Sequence, residues 1–80
     1  MPTIDMSREI ENRIRAAIPD SEPHAKMNGD RHYTVIVKSP SFDGLTMLHC
    51  HRQVLAAIKE LMDGDDAQVH AIDSLRTSAG

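Results

Sequence analysis

Five histidines and one cysteine hold most of the chemistry this chain could do. The histidines stand at 24, 32, 49, 51 and 70, and the single thiol is Cys50. Imidazole titrates near neutral pH and is a ligand for borderline metals. A lone thiol closes no internal disulfide and cannot fill a four-thiolate zinc or iron–sulfur site. Cys50 and His51 are adjacent in the chain with no orienting partner, so a nucleophile–base pair is not indicated. No carboxylate dyad or phosphate loop stands out, and Asp63, Asp65 and Asp66 lack the downstream glutamate of a calcium loop. The chemistry in view is therefore metal ligation or partner contact, and no enzyme activity is expected.

The elements that must position these residues are legible from periodicity. Ile10, Ile14, Ala17 and Ile18 recur on one helical face, which predicts a helix over about 6–18. Asp5 or Ser7 can cap its start, and Pro19 sets its stop. Asn28-Gly29 signals a two-residue hairpin turn. Such a turn would place Met27 opposite Asp30, Ala25 opposite His32 and His24 opposite Tyr33. The first strand is predicted over about 22–27, and the β-branched run Tyr33–Val37 is the second. Ser39-Pro40-Ser41-Phe42-Asp43-Gly44 is a turn-rich connector. Thr46 can cap a second helix whose apolar face is Val54, Ile58, Leu61 and Met62, with Leu55 alongside. It ends at Asp63–Asp66, and a last strand is predicted over Val69–Leu75.

The order is α-β-β-α-β. A strand–helix–strand crossover is right-handed and gives parallel pairing. The expected architecture is α+β: a three-stranded mixed sheet with both helices on one face, of the size of a class II K-homology-like domain. Residues 1–80 are expected to form one domain, with an ordered core over about 6–76. Parallel strands start at one sheet edge, so His32 and His70 should lie near each other there, with His24 hanging over the same edge. The N-terminal end of the second helix, carrying His49, Cys50 and His51, belongs some 20 Å away at the opposite edge. Each histidine also has a plain alternative. His70 can be packed on the sheet, His24 and His32 can be hairpin surface residues, and Cys50 can be a small core residue. Two histidines are too few to hold a metal, so such a site needs ligands from a partner.

Composition narrows the partner. The chain has 9 basic and 12 acidic residues, a net charge of −3, and only Tyr33 and Phe42 as aromatics. Nucleic-acid modules are usually cationic, and stacking of several bases needs aromatic platforms. No apolar run is long enough to span a membrane. Met1-Pro2-Thr3-Ile4-Asp5 lacks the layout of a signal peptide, and the scarcity of cysteine suits a reducing compartment, so a cytoplasmic location is expected. At 80 residues the chain buries roughly 60% of its unfolded surface, so its core is thin.

Four segments carry a family resemblance over roughly residues 8–76. Ser41-Phe42-Asp43-Gly44 resembles the Phe-x-Gly signature of the BolA family. His51-Arg52 before an apolar helix resembles its Arg-His-Arg segment, with Cys50 in place of the first arginine. Val69-His70-Ala71-Ile72 resembles its C-terminal Ile/Val-His-Ala-Leu. The stretch from Glu22-Pro23-His24-Ala25 to Arg31-His32-Tyr33 is similar to the hairpin of the short, acid-resistance type of member, with Tyr33 where phenylalanine is common.

The resemblance implies a K-homology-like α-β-β-α-β fold and a role without catalysis. BolA proteins pair with monothiol glutaredoxins, whose active site reads Cys-Gly-Phe-Ser, and the two share a bridging [2Fe-2S] cluster. The glutaredoxin and glutathione supply the thiolates, and the BolA protein supplies histidines. His70 matches the C-terminal ligand. His24 lies nearest the loop-ligand position and His32 matches a second histidine before the strand, so the two are alternatives for the loop ligand. No cluster is expected on the isolated chain. Imidazole in place of thiolate raises the potential of the iron, and imidazole must be neutral to bind, so acid should loosen the site. The implied setting is iron–sulfur trafficking, iron homeostasis or stress-responsive regulation. The alternative is a nucleic-acid-binding transcription regulator, with His51, Arg52 and Cys50 as partner or nucleic-acid contacts. Weak homodimerisation is a further expectation, and no membrane partner is expected.

Overall fold

A computed structural model describes residues 5–29, 31–63 and 67–79. The element order is α1 (Ser7–Ala17), β1 (Glu22–Gly29), β2 (His32–Lys38), a 3-10 turn (Pro40–Phe42), α2 (Met47–Ala57), α3 (Lys59–Met62) and β3 (Ala71–Ser78). The sheet order is β1-β2-β3, with β1 antiparallel and β3 parallel to β2. α1 lies against β1, α2 against β3, and the two helices touch. The expected α+β architecture, a mixed three-stranded sheet with helices on one face, is the one observed.

Each element has a local cause. Asp5 Oδ1 accepts the Ser7 amide at 2.8 Å, so the carboxylate closes the first turn of α1 from one residue before the Met6 cap. Hydrogen bonding from the Ser7 side chain and, less strongly, from its amide holds the Asp5 carboxyl below its ordinary value. Ile10, Ile14 and Ile18 are buried as predicted, whereas Ala17 is exposed. Thr46 caps α2, its Oγ1 accepting the His49 amide at 3.1 Å. Between β2 and α2, Phe42 plugs the core, and Gly44 turns the chain at φ +80°, a conformation costly for any residue with a Cβ. Ser39, fully buried, ties three segments together. Its hydroxyl donates to Asp20 Oδ1 at 2.9 Å, and its amide donates to the Ser78 carbonyl at 2.9 Å.

The core sits between the sheet and the helices. Ile10 and Ile14 of α1, Cys50 and Val54 of α2, Ile58, and Tyr33, Val35 and Val37 of β2 form one buried cluster with Phe42 and Val69. The outer edge of β1 is closed by a carboxylate, since the Ala25 amide donates to Glu11 Oε2 at 2.9 Å. Pro23, two residues earlier and on the same side of the strand, has no amide to leave bare at that edge. Among the described residues no helix lies over the other sheet face.

Three sequence expectations are corrected. The second helix breaks at Ile58 (φ −114°, ψ 13°), which stays fully buried, and the short α3 follows. Beyond the break Glu60 meets Arg13 at 3.0 Å, and the Leu61 carbonyl accepts the Val69 amide at 3.1 Å. β3 starts at Ala71 and runs to Ser78, later than predicted, because Val69 is a core residue outside the strand. The hairpin register also differs: Met27 faces Tyr33, Ala25 faces Val35 and His24 faces Ile36. Cross-strand partners share a face. The tight-turn register would have put His24 beside the buried Tyr33, whereas the observed one puts Met27 there. Asp30, and residues 64–66 of the predicted helix end, lie outside the described residues.

Burial makes a stability contrast testable. Ile14→Ala, at a fully buried position, should lower unfolding free energy by about 2–5 kcal/mol, a large share of the total for so small a domain. Leu48→Ala, 60% exposed, should change it by less than about 0.5 kcal/mol. Urea midpoints for the two variants check this, and equal losses would contradict the assigned core.

Candidate metal-binding edge

The edge where β2 and β3 begin is built around Arg31. Its φ of +62° is unusual for a residue with a Cβ and costs about 1 kcal/mol or more. That conformation turns the Arg31 carbonyl to accept two amides, His70 at 2.7 Å and Ala71 at 3.2 Å. The Arg31 guanidinium reaches the Ala67 carbonyl at 3.4 Å. The short segment that leads into β3 is thus tied to the residue that leads into β2. Consequently the two imidazoles next to this junction meet: the ring centroids of His32 and His70 are 5.4 Å apart, tilted by 52°.

His32 is oriented by a polar chain on the uncovered sheet face. Its Nδ1 lies 2.8 Å from Asp73 Oδ1. Asp73 Oδ2 accepts from the Asn28 amide at 3.3 Å, and the same amide nitrogen donates to Thr34 Oγ1 at 2.7 Å. An ionised carboxylate only accepts, so the proton of this contact sits on His32 Nδ1. The neutral ring then keeps its lone pair on Nε2, the form in which histidine binds a metal. His70 is exposed, as a donor to an external group must be.

The remaining histidines lie elsewhere. His24 is exposed on β1 opposite Ile36, four residues along β2 from His32, or about 13 Å at strand rise. The structure therefore brings His32 and His70 together and leaves His24 out, which corrects the expected three-way convergence. The cause is the hairpin register, not the topology. Cys50 is buried and lines a groove of about 310 Å³ with Phe42, Gly44, Met47, Thr77 and Ser78. This is the far end of β3 from His70, about 23 Å along the strand. His49 and Arg52 are exposed on α2 at that end, and His51 is half-buried. Among the described residues no group of three or more histidine, cysteine, aspartate or glutamate side chains could hold a metal ion.

Asp73 and Asn28 were not singled out as site residues by sequence reasoning. A parity conflict could have signalled Asp73. Residues 73 and 75 fall on the same face of a regular strand, yet aspartate suits solvent and leucine suits the core.

The profile of the BolA-like protein family matches residues 7–79. The chain belongs to the BolA-like family. Among curated proteins none matches significantly. Solved structures do. A BolA protein homologue from Coxiella burnetii is 30% identical over 94% of this chain and 91% of its own, with a TM-score of 0.74. BolA1 from Arabidopsis thaliana superposes with a TM-score of 0.72 at 16% identity, covering 95% of this chain and 94% of its own. A BolA-like protein from Rickettsia prowazekii gives 0.66 at 24% identity, covering 96% of each chain. Among the described residues no helix is long and apolar enough to cross a membrane.

The His32 contact makes Asp73 a reporter of the edge. The hydrogen bond from His32 holds the Asp73 carboxyl below its ordinary value against the opposing effect of desolvation, with a smaller lowering contribution from Asn28. A depressed folded-state value means the contact stabilises the fold above the ordinary aspartate range and is lost as pH falls below it. Carboxyl-carbon NMR titration should show the Asp73 midpoint below 3.8 in the wild type and closer to it in His32→Ala. An unchanged midpoint in the variant would remove His32 as the cause.

Proposed function

We propose that this BolA-like protein is a non-enzymatic adaptor. In this reading it pairs with a monothiol glutaredoxin and shares a bridging [2Fe-2S] cluster with it, in iron–sulfur trafficking or iron-responsive regulation of the reducing cytoplasm. The observation that carries the reading is the His32–His70 pair, two imidazoles with centroids 5.4 Å apart at one accessible edge. The donor set fits half of such a group. Two imidazoles are available, and the only cysteine is buried at the far end of β3. His70 and His32 would hold one iron, and the glutaredoxin with glutathione would supply the thiolates. A cluster with imidazole on one iron is less negatively charged and easier to reduce than an all-thiolate one. The chain's own part is to present two oriented nitrogens, keep thiolates away from that edge, and leave the remaining positions to a partner.

Family membership supports the pairing, and the sparse donor set supports a shared rather than a resident group. Mixing the protein with a monothiol glutaredoxin, ferrous iron, sulfide and glutathione should give absorption and circular dichroism bands distinct from those of the glutaredoxin loaded alone. His70→Ala and His32→Ala should each abolish that difference, whereas His24→Ala should preserve it. A wild-type spectrum from His70→Ala would sink the proposal.

A further inference from the structure

Both neighbours of β2 depart from regular pairing at the same level of the sheet. On β1 the register slips between Met27 and Gly29, and Asn28 has no backbone partner. On β3 it slips between Ile72, opposite Tyr33, and Ser74, opposite Thr34, so Asp73 has none. These two unpaired residues flank the start of β2 from opposite sides. Their side chains meet each other at 3.3 Å, and Asp73 meets His32 at 2.8 Å.

A β-bulge inserts a residue, bends the strand and re-aims a side chain. On β3 it resolves the parity conflict directly. Leu75 faces the buried Val35 while Asp73 stays on the uncovered face with His32. A regular strand would put both residues on one side, exposing Leu75 or burying Asp73. On β1 the slip keeps Met27 opposite Tyr33 and leaves Asn28 to bridge Thr34 and Asp73.

We infer that the paired bulges are a positioning device, in which Asn28 holds Asp73 and Asp73 holds His32 in one tautomer and one orientation beside His70. This rests on the adaptor reading for its use, since a ligand pair needs a fixed lone pair on His32 Nε2. The holding itself is a property of the isolated chain. Asp73 and Asn28 are positioning residues and touch no ligand. Outer partners of metal-bound histidine act in this way, and their loss typically weakens metal binding about 10–100-fold.

Nitrogen-15 NMR of the apoprotein at alkaline pH, where imidazoles are neutral, tests the inference without glutaredoxin. His32 should show a single tautomer with the proton on Nδ1, while exposed His24 and His49 show mixtures. Asp73→Ala should convert His32 to a mixture, with the amide spectrum otherwise folded. Asp73→Asn should restore the single tautomer, because an acceptor oxygen remains and the Asn28 amide and Thr34 hydroxyl can reverse roles. Asn28→Ala should give an intermediate mixture. In the reconstituted complex, Asp73→Ala should weaken cluster retention about 10–100-fold, with Asp73→Asn close to wild type. A His32 mixture in the wild type, or no response to Asp73→Ala, overturns the inference. If the tautomer is fixed as described but no histidine variant alters the cluster spectrum, the positioning stands and the adaptor reading falls.

Discussion

Two backbone amides, those of His70 and Ala71, donate to a single carbonyl, that of Arg31. This junction sets where β3 begins against β2. His32 faces Ala71 because the first rung is fixed there, and the bulge at Asp73 then sets Val35 opposite Leu75 and Lys38 opposite Ser78. The cost is a left-handed backbone at a residue with a full side chain. The return is twofold, since the junction starts the ladder and leaves two imidazoles on adjacent sides of it. Moving the junction by one residue would turn the alternation of β3 over and send Leu75 to water.

The fold divides its labour between the two faces of the sheet. Tyr33, Val35 and Val37 send their side chains under the helices, and His32, Thr34 and Ile36 stand on the open side. The polar chain of Thr34, Asn28, Asp73 and His32 therefore lies on a surface that, among the described residues, no helix covers. A protein partner can approach it without any rearrangement of the core. The thin core of a chain this short is kept intact by placing the chemistry outside it.

The sequence made the elements legible where a residue's effect is local. Pro19 ends α1, Thr46 caps α2, and the spacing of Ile10, Ile14 and Ile18 marks a buried face. The order of elements then fixed parallel pairing of β2 with β3, and that alone brought His32 to His70. Register was not legible, because it depends on which turn wins. Asn28-Gly29 has the composition of a tight turn, yet partial burial of Met27 opposite Tyr33 outweighed that local preference, and Arg31 took the left-handed conformation instead. His24 was misplaced for the same reason. The break at Ile58 was hidden because Ile58, Leu61 and Met62 continue the helical period across it. Asp73 was hidden because a bulge is an exception to the alternation by which strands are read.

The bond from the Ala25 amide to Glu11 belongs to the outer margin of the sheet rather than to its chemistry. A strand at the edge of a sheet is a template for other chains, and here its exposed amide is occupied by a helix side chain. α1 precedes β1 in the chain, so synthesis from the N-terminus delivers the guard before the strand that it guards. The hairpin need never exist with its outer margin bare. Any circular rearrangement of the sequence that placed α1 after the strands would keep every native contact and yet reverse that order.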